Sequence, residues 1–178
     1  LQGFLNQMGG DVRGAGTAEI RIKVPAKLRG GTYRIIPDRI VAGTFLMAAA
    51  ITQGNVLVKN VIPSHLEAVI TKLREAGVRI EEEGDSALRV AGASLRGIKL
   101  VTQAYPGFPT DLQAPMAALL TIAGGESSVH EEIFDNRLKH MEELKKIGAK
   151  ISVMERKAVI TGCKALHAGK TVKVTDLR

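Results

Sequence analysis

Asp111 stands between Thr110 and Leu112 at what reads as the start of a helix, and the same Thr-Asp-Leu triplet returns at Thr175, Asp176 and Leu177, with Arg178 next. An aspartate at a helix start ordinarily caps it. Here Thr110 with Gln113 three residues on has the form of a capping box. That leaves the Asp111 carboxylate in the first turn, at the end of the helix dipole that favours negative charge. A carboxylate held there can orient or deprotonate a substrate hydroxyl. Capping and chemistry both stand as readings of Asp111, and the same contest applies to Asp176. Arg178 adds a cation to that second turn. Arg137 is the other group of interest, because a planar guanidinium suits the grip of a phosphate or carboxylate.

Other chemistries find little support. The four histidines (65, 130, 140 and 167) show no ligand spacing with carboxylates, so no metal is expected. Cys163 reads as a small loop residue. The glycine-rich stretches lack the Lys-Ser/Thr of a phosphate loop, and no cofactor is expected. One cysteine in 178 residues excludes a disulfide framework. No apolar run approaches the ~20 residues of a membrane span, so no membrane partner is expected. The net charge of +7 favours anionic partners. The basic residues are scattered, however, and only six aromatics are present, which lowers a nucleic-acid reading.

The elements that must position these groups come in copies. The run from His65 to Gly77 aligns with that from Asn136 to Gly148. A strand follows each glycine (Val78-Arg79-Ile80-Glu81; Ala149-Lys150-Ile151-Ser152). Then comes a second strand, with Ala87-Leu88-Arg89-Val90 set against Ala158-Val159-Ile160-Thr161. The N-terminus carries the tail of a further copy, including strands at Glu19-Ile20-Arg21-Ile22 and Tyr33-Arg34-Ile35-Ile36. The expected units are 1–37 (a tail), 38–108 and 109–174, with another starting at 175, in one repeat-built domain over 1–178. A chain that opens inside a helix and stops at a helix start is expected to be a piece of a longer protein.

Each copy holds two helices of different character. The one at 64–76 has Ser64 and Glu67 as a capping box and a single apolar stripe, Leu66, Val69, Ile70 and Leu73, as a surface helix should. Gly77 and its counterpart Gly148 suit a left-handed closing residue. The helices at about 39–53 and 112–123 are apolar all round, which predicts burial, with Met47, Ala48, Ile51, Met116, Leu119 and Leu120 in the core. The fold class is therefore α/β (α+β), with helices within and sheets outside. Internal comparison also marks the second copy as unusual: the stripe positions Leu66 and Val69 become Arg137 and His140. Either those side chains snorkel into solvent, or Arg137 is there to hold an anion.

Several stretches carry a resemblance that covers the chain in order. Pro37-Asp38-Arg39-Ile40, Pro106-Gly107-Phe108-Pro109-Thr110-Asp111-Leu112-Gln113-Ala114, Phe134-Asp135-Asn136-Arg137 and Thr175-Asp176-Leu177-Arg178 resemble the UDP-N-acetylglucosamine enolpyruvyl transferase family. The resemblance implies a cytoplasmic enzyme of cell-wall precursor synthesis that moves the enolpyruvyl group of phosphoenolpyruvate onto the sugar 3-hydroxyl. It also implies two domains, each an inside-out α/β barrel of three repeats built on a βαβαββ pattern. It assigns Asp111 as the catalytic group at the sugar hydroxyl and Ile133 as a backbone contact to the UDP-sugar. Arg137, Asp176 and Arg178 become charged groups lining the cleft. The family's N-terminal Lys-Asn pair, its Cys-bearing loop and the Arg positions of its other domain have no counterpart here, and Cys163 does not occupy that loop. The expected partner is therefore the missing N-terminal half, without which the segment should not turn over. Two alternatives stand beside this: an enolpyruvyl-shikimate-phosphate synthase-type enzyme, and a non-enzymatic basic RNA-binding module.

Overall fold

A computed structural model describes residues 1–24, 27–92, 94–167 and 171–172. It divides into two compact units, 1–36 and 37–178. In the first, helix α1 (Gln2–Gln7) leads into a short antiparallel pair, β1 (Asp11–Arg13) and β2 (Arg21–Lys23). The amide side chain of Asn6 holds both the N–H and the carbonyl of Val12, at 2.7 and 2.8 Å. The expected strand at 33–36 does not form. Ile35 and Ile36 are exposed there, and no neighbouring ladder satisfies the backbone groups that make an extended segment a strand.

The second unit contains the same succession twice. Helix α2 (Arg39–Ile51), strand β3 (Asn55–Lys59), helix α3 (Glu67–Glu75) and strands β4 (Arg79–Glu82) and β5 (Ala87–Ala91) make one copy. Strand β6 (Lys99–Thr102) follows. The other copy is helix α4 (Gln113–Leu120), β7 (Glu126–Glu131), α5 (His140–Lys146), β8 (Lys150–Met154) and β9 (Lys157–Thr161). The sheets have matching antiparallel orders, β3-β5-β4 and β7-β9-β8, and β6 extends the second by pairing parallel to β7. Alternate residues of β5 and β9 point inward: Leu88 and Val90 in one, Ala158 and Ile160 in the other.

That burial corrects the sequence alignment of these two strands. Leu88, and not Ala87, is the counterpart of Ala158, although the closing glycines Gly77 and Gly148 keep the spacing read from the sequence. The cause is a shorter hairpin in the second copy, where Glu155 and Arg156 alone join β8 to β9 and Glu155 takes φ +52°. A slip by a single position in a strand exchanges its two faces, so pairing Ala87 with Ala158 puts the wrong side chains in the core.

The two helices apolar all round lie against each other. Gly43 of α2 makes this approach possible, because a Cβ there would run into the side chain of fully buried Leu112. Met47, Met116, Leu119 and Leu120 are buried as expected, and Ile51 is partly buried against the same core. Ala48 is exposed, as are Val41 (53%) and Phe45 (58%), so α2 is not enclosed on every side. Asp38 caps α2 by accepting from the N–H groups of Ile40 (2.7 Å) and Val41 (3.4 Å). Ser64 caps nothing: Pro63 opens a 3-10 turn (Pro63–Leu66), a position proline favours, and α3 starts only at Glu67. Gly77 and Gly148 end their helices at φ +95° and +101°, in the left-handed region expected of them.

Candidate functional site

The parallel strands β6 and β7 end side by side, and three of the expected site residues, Asp111, Ile133 and Arg137, lie where they stop. Thr102, the last residue of β6, accepts the N–H of Glu132 on its hydroxyl oxygen at 3.0 Å. Beyond β6 the chain returns through Phe108, which bridges back to Thr102, and enters a 3-10 turn, Thr110–Leu112, that feeds α4. Beyond β7, residues 135–139 form a turn in place of the first turn of the expected helix. Asn136 takes φ +56° there, a left-handed conformation that asparagine tolerates better than most. Helix α5 therefore begins at His140.

This delay decides what Arg137 does. Released from the helix stripe, its guanidinium lies over the Phe134 ring at 5.0 Å and donates from Nη2 to Asp111 Oδ1 at 2.8 Å. The Arg137 side chain is 9% exposed and that of Asp111 40%. The snorkelling reading of Arg137 is thus replaced by a largely buried cation held against a half-exposed carboxylate. Such a bond is charge-assisted and fixes the orientation of both groups. The pair ties the α4 entry to the turn after β7.

The capping arrangement differs from expectation. Pro109, with extended backbone, holds the cap position, and no side chain caps the turn. Thr110 lies inside the turn and donates its hydroxyl to Glu131 Oε2 at 2.9 Å. Gln113, expected to complete a capping box, is fully buried, and neither of its amide atoms has a partner among the described residues. The consequence for Asp111 stands on different grounds. It occupies the first turn as the only acidic residue there, and its bond to Arg137 gives it a role other than capping.

Ile133 follows directly on this corner. Its N–H donates to Glu131 Oε1 at 3.0 Å, and the next N–H, of Phe134, reaches the same oxygen at 3.2 Å. Asp135, one position further, pairs with Arg156 of the β8–β9 hairpin at 2.7 Å. The structure therefore brings Asp111, Ile133 and Arg137 to one corner. Asp176 and Arg178 lie outside the described residues. His140 begins α5 half-buried. Burial lowers its pKa; the Arg137 backbone opposes that shift and the Arg137 charge adds to it. Cys163 donates its thiol to the Thr121 carbonyl at 3.2 Å, as a packed loop residue would.

Glu131 is the residue that sequence reasoning missed. It is 1% exposed and accepts three hydrogen bonds at this corner. The backbone explains how it was overlooked. In the second copy His130 and Glu131 follow each other along the ladder, and Glu131 N–H donates to Arg156 O. In the first, Asn60 at φ +56° stands out of the ladder after Lys59, and it is Val61 N–H that donates to Ser86 O. Glu131 is therefore the counterpart of buried Val61. At the spacing read from the helices it falls against Asn60, an unremarked polar pair. No cluster of three or more potential metal ligands occurs among the described residues. No described helix is long and apolar enough to cross a membrane.

Comparison with known proteins agrees with this architecture. The family model of EPSP synthase (3-phosphoshikimate 1-carboxyvinyltransferase) matches residues 1–178. A UDP-N-acetylglucosamine 1-carboxyvinyltransferase of Clostridium botulinum is 50% identical over 175 residues, covering 98% of this chain and 42% of that protein. One of Finegoldia magna is 52% identical over 180 residues, again with 42% of its length covered. A relative of the same name from Desulfofundulus thermocisternus is 51% identical, and 73% of it is covered. The chain thus spans well under half the length of the first two. Among solved structures, the enolpyruvyl transferase NikO of Streptomyces tendae superposes with a TM-score of 0.75 at 20% identity, over 88% of this chain and 38% of that one. EPSP synthase of Acinetobacter baumannii gives 0.63 at 21%, over 91% and 40%. These two show a shared fold. The α+β repeats, the whole-chain family match and relatives at about 50% identity together establish that this chain belongs to the EPSP synthase family of carboxyvinyltransferases.

Proposed function

We propose that this chain is a segment of a UDP-N-acetylglucosamine 1-carboxyvinyltransferase that supplies the sugar-hydroxyl side of the reaction. The observation that carries the reading is the Asp111–Arg137 pair at the shared ends of β6 and β7. The sugar 3-hydroxyl is a poor nucleophile, and its proton must leave as its oxygen bonds to C2 of phosphoenolpyruvate; phosphate is then released. Asp111 is half-exposed and held from one side by a buried cation, so it takes or orients that proton. Arg137 fixes the carboxylate and adds positive potential where anionic substrates approach. Ile133 supplies a backbone contact to the UDP-sugar, on a turn immobilised by Glu131. Asp176 and Arg178 complete the charged lining. The rest of the enzyme contributes the acid and the phosphoenolpyruvate clamp, so that this segment alone releases no phosphate. Three such repeats closing into an inside-out barrel would cover the exposed Val41 and Phe45 of α2. The role belongs to cytoplasmic synthesis of peptidoglycan precursors.

The shikimate-phosphate reading keeps one specific support, the description of the matching family model; the names of the relatives at about 50% identity favour the amino sugar. Phosphate release by the complete enzyme separates them: it is expected with UDP-N-acetylglucosamine and not with shikimate 3-phosphate. In that enzyme Asp111→Asn keeps shape and much hydrogen bonding but removes the charge. A kcat loss of roughly 10²–10⁴ is expected, the range for a positioned acid or base, and Asp38→Asn, at the matching helix start of the other copy, should cost less. Near-normal kcat for Asp111→Asn would remove Asp111 from the chemistry.

A further inference from the structure

Glu131 is a carboxylate in a place built for an apolar side chain. Strand β7 turns Ser127, Val129 and Glu131 toward the interior, and the equivalent residue of the first copy is buried Val61. Burying a carboxylate is costly unless its oxygens are hydrogen-bonded. Here one oxygen accepts two successive backbone N–H groups, those of Ile133 and Phe134, and the other accepts the Thr110 hydroxyl. These donors lie on two different segments, the turn after β7 and the turn that presents Asp111. Val61 has no side-chain polar atom to make such a link, and the helix start of the first copy is capped by Asp38 itself. The second copy thus exchanges a capping aspartate for one paired with Arg137, and the tie at Glu131 accompanies that exchange.

We propose that Glu131 is a positioning residue of the transferase, setting the distance between the Asp111 carboxylate and the backbone that receives the UDP-sugar. The proposal rests on the functional reading above. Asp111 adjoins Thr110 and is held on its other side by Arg137, which the same 133–137 turn carries. The corner is therefore closed at two points, by Glu131 from within and by Arg137 nearer the surface. Loosening the inner one lets the sugar and the carboxylate drift apart without removing either, and misplacement by about 1 Å can cost about 10²-fold in rate.

The test uses the complete enzyme. Wild-type phosphate release with UDP-N-acetylglucosamine comes first; its absence would sink the functional reading itself, independently of Glu131. Three variants then divide the roles. Glu131→Asp keeps the charge but is one methylene shorter and cannot span both segments; kcat should fall about 10²-fold and KM for the UDP-sugar should rise. Glu131→Gln can still accept both backbone N–H groups and donate to the Thr110 oxygen, so it should lose less than about tenfold, the worth of one hydrogen bond. Thr110→Val severs only the Asp111 side, and should lower kcat while leaving KM for the UDP-sugar near wild type. Rates are taken per folded molecule, with thermal unfolding of each variant measured alongside. A residue that only braces the fold would lower the melting temperature while kcat and KM of the folded fraction stayed at wild-type values; that result overturns the proposal. If Glu131→Asp fails to fold, Thr110→Val decides: unchanged kcat refutes the link, and a selective fall in kcat supports it.

Discussion

Asp111 and Arg137 are bonded to each other, yet removing one should not cost what removing the other does. Only 9% of the Arg137 side chain is exposed, against 40% for Asp111. Asp111→Ala leaves a guanidinium whose charge is largely shielded from water and has lost its bonded anion. For a fully buried pair such a loss costs about 3–5 kcal/mol, whereas exposed pairs contribute under about 1 kcal/mol. With one partner buried and the other half in solvent, about 2–3 kcal/mol is expected. Arg137→Met leaves the carboxylate, which water can reach, and Met refills much of the volume against Phe134. That variant should lose less than about 1 kcal/mol. The double variant should lose less than Asp111→Ala alone, because much of that penalty belongs to the stranded cation. Urea unfolding of the chain with unchanged m values reads these differences directly. Equal losses for the two single variants, or a larger one for Arg137→Met, would show that the burial asymmetry does not govern the pair.

Leu119 is fully buried in the core that α4 shares with its sheet; Leu119→Ala should cost about 2–5 kcal/mol, and a change within about 0.5 kcal/mol would place it outside that core. Gly43→Ala gains up to about 1 kcal/mol of helix propensity but drives a methyl into Leu112, and overpacking of this kind costs about 1–3 kcal/mol; a net stabilisation would mean that the Leu112 side chain has room to move aside. Burial lowers the His140 pKa, so below the ordinary value of 6.5 the unfolded chain takes up a proton that the folded chain resists. Stability from the neutral imidazole is complete above about pH 6.5 and declines as the pH falls through that value toward the folded pKa. His140→Leu should therefore reduce the drop in melting temperature between about pH 7.5 and 5.5, and an unaltered drop would refute the burial argument.

The repeated order of two helices and two following strands was legible because each of these elements carries a short-range signature. Strands β3 and β7, between the helices, came only with the βαβαββ pattern that the resemblance implies. Glycines closed two helices, single stripes marked the surface helices, and helices without a polar face marked the core. The place of Asp111 in the first turn of a helix followed from such signals, whereas Arg137 read as a residue of the second copy's helix stripe. Their bond did not follow, because it depends on where α5 starts. Periodicity carried the α5 helix back to Asn136, while the left-handed backbone at Asn136 holds residues 133–139 out of it. The same delay turns Arg137 from a stripe residue into the partner of Asp111. Capping residues misled for a related reason. Thr110 and Ser64 have the right type at the right spacing, but in each case a proline immediately before them shifts the start of the turn, and the hydroxyl of Thr110 finds a buried acceptor instead.

Glu131 shows the limit of comparing copies at one constant spacing. The strand pairings Val58 with Leu88 and Val129 with Ala158 make Val129 the counterpart of Val58. From there the copies part. The first places Asn60 between Lys59 and Val61, outside the ladder, whereas the second runs straight from His130 to Glu131 and spends its extra residue later, in the turn before α5. By the closing glycines Gly77 and Gly148 the original spacing is restored, so an alignment of the helices never sees the exchange. Held to that spacing, Glu131 faces Asn60 and reads as one more polar loop residue. Aligned by the backbone hydrogen bonds, it faces Val61, and a buried valine replaced by glutamate demands partners that a valine never needs. The longer turn after β7 makes them available, since its two N–H groups are the ones the carboxylate accepts. The relocated residue, the delayed helix and the buried carboxylate are thus one structural change, and the exposed face of that change is the corner where Asp111 and Arg137 meet.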